Sequence, residues 1–80
     1  MAMPQRLVRE HKISMQMIAR ACGVSDMTVA KVLDPKRCDG VSLRITRLVR
    51  GKITEALALF GHEFKPGELW KEYDQVEEAA

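Results

Sequence analysis

Apolar residues recur along this chain at intervals of three and four, and rarely at intervals of two. That period is helical, so the chain is expected to be all-α. Pro4 opens a first short helix running to His11, with Leu7 and Val8 on its apolar side. Proline suits a first turn, where its missing N–H would have no helical partner. Ser14 is placed to cap a second helix, whose stripe is Met15, Ile18, Ala19 and Cys22. Gly23 ends it, because glycine takes the left-handed conformation a tight turn needs. Ser25 caps a third helix with Val29, Val32 and Leu33 facing inward. Asp34-Pro35 stops it, since the residue before proline is pushed out of the helical region.

Residues 34–42 read as a polar loop. Ser42 caps a longer fourth helix, about 43–60, with Ile45, Leu48, Val49, Ile53, Ala56, Leu57 and Phe60 on one face. Gly51 weakens its middle by about 1 kcal/mol relative to alanine and marks where it would kink or split. Gly61 is read as its cap. Lys65-Pro66-Gly67 signals a turn, and Glu68–Glu78 then reads as a fifth helix with Leu69, Trp70, Tyr73 and Val76 on one side. The expected architecture is a compact four- to five-helix all-α domain. Residues 1–66 form its body, and 67–80 a C-terminal helix with an acidic tail that frays at its end.

Composition refines this picture at three points. The 80 residues suffice for one small core, so dimerisation would add stability. The net charge of +2 conceals an asymmetry: residues 1–52 hold eleven Lys/Arg against four acids, and residues 53–80 two Lys against seven acids. A basic body with an acidic tail suits a polyanionic partner on one face, or is an ordinary solvated charge mix. No apolar run is long enough for a membrane span, and Arg6, Arg9, Glu10, His11 and Lys12 interrupt any secretory leader, so a cytoplasmic protein is expected. Cys22 and Cys38 are 16 apart with no second thiol or histidine pair near them, which is neither a zinc pattern nor a disulfide framework. Cys22 reads as a small core residue and Cys38 as a free loop thiol.

The strongest constellation spans residues 15–33. Two short helices joined by a glycine turn cross steeply, and this fixes residue types at set offsets. Ala19 is small where the second helix of the pair comes closest. Gly23 turns the chain, Val24 plugs the corner, and Ile18, Cys22, Val29 and Val32 fill the inward positions. This is the pattern of a DNA-binding helix-turn-helix, although a plain helical hairpin satisfies the same packing.

The segment from Ser14 to Leu33 (SMQMIARACGVSDMTVAKVL) resembles, without gaps, the helix-turn-helix of the Lac-repressor family headpiece. Val41-Ser42 and Lys52-Ile-Thr-Glu-Ala-Leu57, with Phe60-Gly-His and Lys65-Pro66, resemble that family's third helix and its end, given a few extra residues. Arg6-Leu-Val-Arg-Glu-His-Lys-Ile-Ser14 is similar instead to the first helix of the Cro/phage-repressor (Xre) family. The resemblance implies a repressor-like DNA-binding domain. The sugar- or purine-sensing domain of full Lac-type repressors has no counterpart here, so no small-molecule effector or cofactor is expected. The family's minor-groove hinge is not recognisable after Pro66, where Glu68, Leu69 and Trp70 stand instead.

In this motif the second helix enters the major groove by its N-terminal end. Asp26, Met27, Ala30 and Lys31 face away from Val29 and Val32, with Thr28 at one edge. The resemblance places Asp26 and Met27 at the principal base-reading positions and Lys31 at a third. Lys31 can donate to guanine or only meet a phosphate. Asp26 can accept from cytosine or only complement its helix N-terminus. Met27 can pack on a thymine methyl. Phosphate contacts are expected from Ser14, Gln16, Ser25, Thr28, Lys36, Arg37, Ser42 and Arg44, with Arg6, Arg9 and Lys12 reaching a flanking strand. Arg47 and Arg50 read as a solvated helix face.

Small domains of this kind read palindromes as two-fold dimers. Phe60, Phe64, Leu69, Trp70 and Tyr73 are the expected homodimer interface; alternatively Phe64 and Trp70 fold back to close the core. The expected function is a sequence-specific regulator of phage or plasmid type, most simply a repressor. The alternative is an antitoxin or adaptor whose acidic tail binds a protein. Neither His11 nor His62 has a nearby paired-carboxylate or nucleophile pattern, and there is no phosphate-binding glycine loop, so an enzyme is not expected.

Overall fold

The computed structural model describes residues 2–65 and 67–73. Four α-helices run Met3–Glu10 (α1), Met15–Cys22 (α2), Asp26–Leu33 (α3) and Leu43–Ala58 (α4), with a 3-10 turn at Cys38–Gly40. No strand occurs among the described residues, so the fold is all-α.

The three serines at helix starts cap as their positions require. Ser14 Oγ accepts from the Met17 N–H (3.3 Å), Ser25 Oγ from Thr28 (3.2 Å) and Ser42 Oγ from Ile45 (3.4 Å). At the other ends, three helices close with the same paired hydrogen bonds. Val24 N–H donates to Ala19 and Gly23 N–H to Arg20; His62 donates to Leu57 and Gly61 to Ala58; Ile13 donates to Val8 and Lys12 to Arg9. The pivot residue is left-handed each time: Gly23 at φ 69°, Gly61 at φ 89° and, without a glycine, Lys12 at φ 52°. Asp34 ends α3 in extended backbone, and its carboxylate accepts from the Lys36 N–H at 2.9 Å.

The core gathers Leu7 and Val8 of α1, Ile18 and Ala19 of α2, Val29, Val32 and Leu33 of α3, and Val49, Ile53 and Leu57 of α4. α2 packs on both α3 and α4. The buried stripe of α4 is Thr46, Val49, Ile53 and Leu57. Leu48 and Phe60, expected on that face, are instead about half exposed. Leu48 sits 100° around the helix from Val49, and Phe60 lies past the last helical turn. Gly51 neither splits nor interrupts α4.

The C-terminal segment differs most from expectation. Among the described residues of the expected fifth helix, 68–70 form a turn and 71–73 are helical; Val76 and the acidic end lie outside the described residues. Leu69, Trp70 and Tyr73 are not a dimer surface. They are buried in the chain's own core, Tyr73 completely. Their polar atoms explain why burial is tolerated: Trp70 Nε1 donates to Thr54 Oγ1 (3.2 Å), and the Tyr73 hydroxyl donates to the Leu33 carbonyl. Arg50, expected on a solvated face, lies over both rings, 5.3 Å from Trp70 and 5.5 Å from Tyr73. Phe64 is partly buried against the same core, and Phe60 stays outside it.

Candidate nucleic-acid interface

The site is built on α3. Its buried residues, Val29, Val32 and Leu33, occupy one arc of the helix and fix the opposite arc toward solvent. Asp26 and Met27 stand on that open arc, Met27 with 65% of its surface exposed. Lys31, one turn along, and Ala30 are half-buried. A large apolar side chain left open beside a carboxylate and an ammonium can present base-edge chemistry, and α2 holds the backbone beneath it rigid.

The hydroxyl groups have defined roles. Ser25 Oγ caps α3 and lies 3.0 Å from Thr28 Oγ1, so these two side chains orient each other at the helix start. Ser14 and Ser42 also accept inward, and each hydroxyl keeps its own proton to donate outward. Three helix N-termini thus carry an exposed serine, and the first-turn N–H groups there favour anions. Ser14 and Gln16 lie at the opposite end of α2 from Ser25, about 12 Å away along an eight-residue helix.

Cations surround this helix pair. Lys36 and Arg37 are exposed in the loop that leaves α3. Arg44 and Arg47, one turn apart at the start of α4, border an open concavity with Cys22 and Gly23 of the α2–α3 turn. The Cys22 thiol, donating to the Leu48 carbonyl at 3.8 Å, ties α2 to that part of α4. Among the described residues, no ion pair engages Lys31, Lys36, Arg37, Arg44 or Arg47; the pair formed is Lys52–Glu55, at 3.3 Å. Arg9 and Lys12 border a second hollow with Met15 and Leu33, on another side of the pair.

Arg47 is expected on a solvated face. It is exposed, and it also stands beside the Gly23 turn together with Arg44. The three-residue spacing from Arg44 was the available signal. Cys38 is half-buried against the core, its thiol donating to the Pro35 carbonyl at 3.6 Å. No group of three or more histidines, cysteines and carboxylates suited to a metal occurs among the described residues. Comparison with protein-family models, curated proteins and solved structures finds no match.

Proposed function

We propose that this chain is a sequence-specific double-stranded-DNA-binding regulator, most simply a repressor, that lays α3 in the major groove of a palindromic operator as a homodimer. The observation that carries this reading is the open arc of α3: Asp26, Met27 and Lys31 on a short helix fixed by α2 and a left-handed Gly23. Lys36, Arg37, Arg44 and Arg47 supply the phosphate charge, and the serine-capped helix starts supply neutral donors. With Leu69, Trp70 and Tyr73 inside the core, Phe60 is the member of the expected interface that stays exposed, and Leu59 beside it is exposed too, so these two are the side chains we assign to a second copy.

The test is selection of bound duplexes from a random pool, followed by anisotropy titrations across salt concentrations. A palindromic consensus is expected, with log K falling against log salt at a slope of about −7 for about eight phosphate contacts per dimer. A flat salt dependence sinks the reading.

A further inference from the structure

We propose that His11 and His62 chelate a divalent late-transition-metal ion, of the zinc, nickel or copper class, where the ends of α1 and α4 meet. The inference is independent of DNA binding. The two Nε2 atoms face each other at 2.6 Å, although the residues are 51 positions apart.

Three features make this more than a chance hydrogen bond. Both backbones are anchored. The His11 N–H donates to Leu7 and the His62 N–H to Leu57, each at 3.1 Å, within the turns that close α1 and α4. The rings are buttressed too. His11 stacks on Phe60 at 4.5 Å between centroids, and His62 lies 6.2 Å from Phe64 in a near-parallel stack. Ligands held this way lose little freedom on binding. Finally, both helices deliver their C-terminal ends here, and that end of the helix dipole favours a cation. An ion with metal–nitrogen bonds of about 2.0–2.1 Å needs its two nitrogens about 2.9 Å apart at a right angle, or about 3.3 Å in a tetrahedron. The rings point nearly head-on, with centroids 4.8 Å apart, so to bind they part by about 0.3–0.7 Å and each tilts until both lone pairs meet at the ion. Two imidazoles leave the remaining coordination positions to water, so the expected affinity is micromolar rather than that of a four-ligand structural site.

The full chain, stripped with a chelator, is titrated with zinc chloride by calorimetry and by histidine Hε1 NMR. One ion per chain is expected, with the resonances of both histidines moving together. His11→Gln and His62→Gln are each expected to weaken binding by at least about ten-fold while far-UV circular dichroism is retained. A Cys22→Ser/Cys38→Ser double variant should bind as the parent does. The proposal is overturned if saturation is not reached by millimolar zinc, if both histidine variants keep the parent affinity, or if the cysteine variant loses it. Should a histidine variant unfold, the parent's spectrum decides: histidine signals that stay still under zinc refute the site.

Discussion

The α2–α3 pair and the segment 67–73 reach the same core by different means. The pair is built from neighbours: serine caps, a left-handed glycine, and apolar residues three and four apart. It buries one arc and leaves the other open, Met17 being 72% exposed on α2 and Met27 65% on α3. The C-terminal segment has little regular structure, yet all three of its large apolar side chains are buried. Its side-chain hydrogen bonds are distant ones, from Trp70 to Thr54 and from Tyr73 to Leu33, 16 and 40 positions away. α3 therefore starts and stops on local signals, at Ser25 and at Asp34-Pro35, while its last residue, Leu33, is also tied to the distant Tyr73. Stability and recognition should separate along this division.

The largest effect belongs to the distant contacts. Tyr73→Ala empties a fully buried ring site and should cost about 3–5 kcal/mol in urea unfolding, a large part of what an 80-residue domain possesses. A loss under about 1 kcal/mol would show that the segment only rests on the surface. Lys31→Ala should do the reverse. Unfolding should move by no more than about 0.5 kcal/mol, while operator affinity falls by about 1–3 kcal/mol with relaxed preference at one position per half-site. Equal weakening on every sequence would make Lys31 a phosphate contact only.

The same division explains what could be read in the chain. Ser14, Gly23, Ser25 and Asp34-Pro35 act within a few residues of themselves, so the bounds of α2 and α3 were legible. The burial of Trp70 was legible only as the alternative to an interface role, because periodicity marks an apolar side chain without saying which surface it covers. The place of Arg50 is hidden for a related reason: a cation over two aromatic rings looks in sequence like any other charge on a helix. His11 and His62 carry no local signal at all, since only the meeting of two helix ends brings them together. The open arc of α3 was legible as an arc, but the bases it would meet are not written in its periodicity.

A milder variant sharpens the remote link. Tyr73→Phe keeps the ring and removes the hydroxyl from the Leu33 carbonyl, for a cost of about 1 kcal/mol. Burial, reinforced by the charges of Cys38 and Glu72, pushes the Tyr73 hydroxyl well above the ordinary tyrosine range. The folded state then holds its proton at pH values where the unfolded state has released it. The stability this contributes is fully present below about pH 10 and falls by up to about 1.4 kcal/mol per pH unit above it. Alkaline melts of the parent and of Tyr73→Phe should therefore converge, and a constant gap across that range would contradict the assignment.

The smallest effects test the local end of the comparison. Gly23 and Lys12 occupy the same left-handed pivot at the ends of α2 and α1, at φ 69° and 52°. A Cβ built on Gly23 meets nothing within 4 Å, so Gly23→Ala changes backbone strain and chain entropy without a clash. It should cost about 1 kcal/mol. Lys12→Gly relieves the corresponding strain but loses a cation at the α1 C-terminus and adds freedom to the unfolded chain, leaving a gain of about 0.5 kcal/mol. Opposite signs in paired thermal melts are the expected result. Two losses would mean that Lys12 holds its conformation through contacts of its side chain, and that the two helix ends are alike in hydrogen bonding but not in what maintains them.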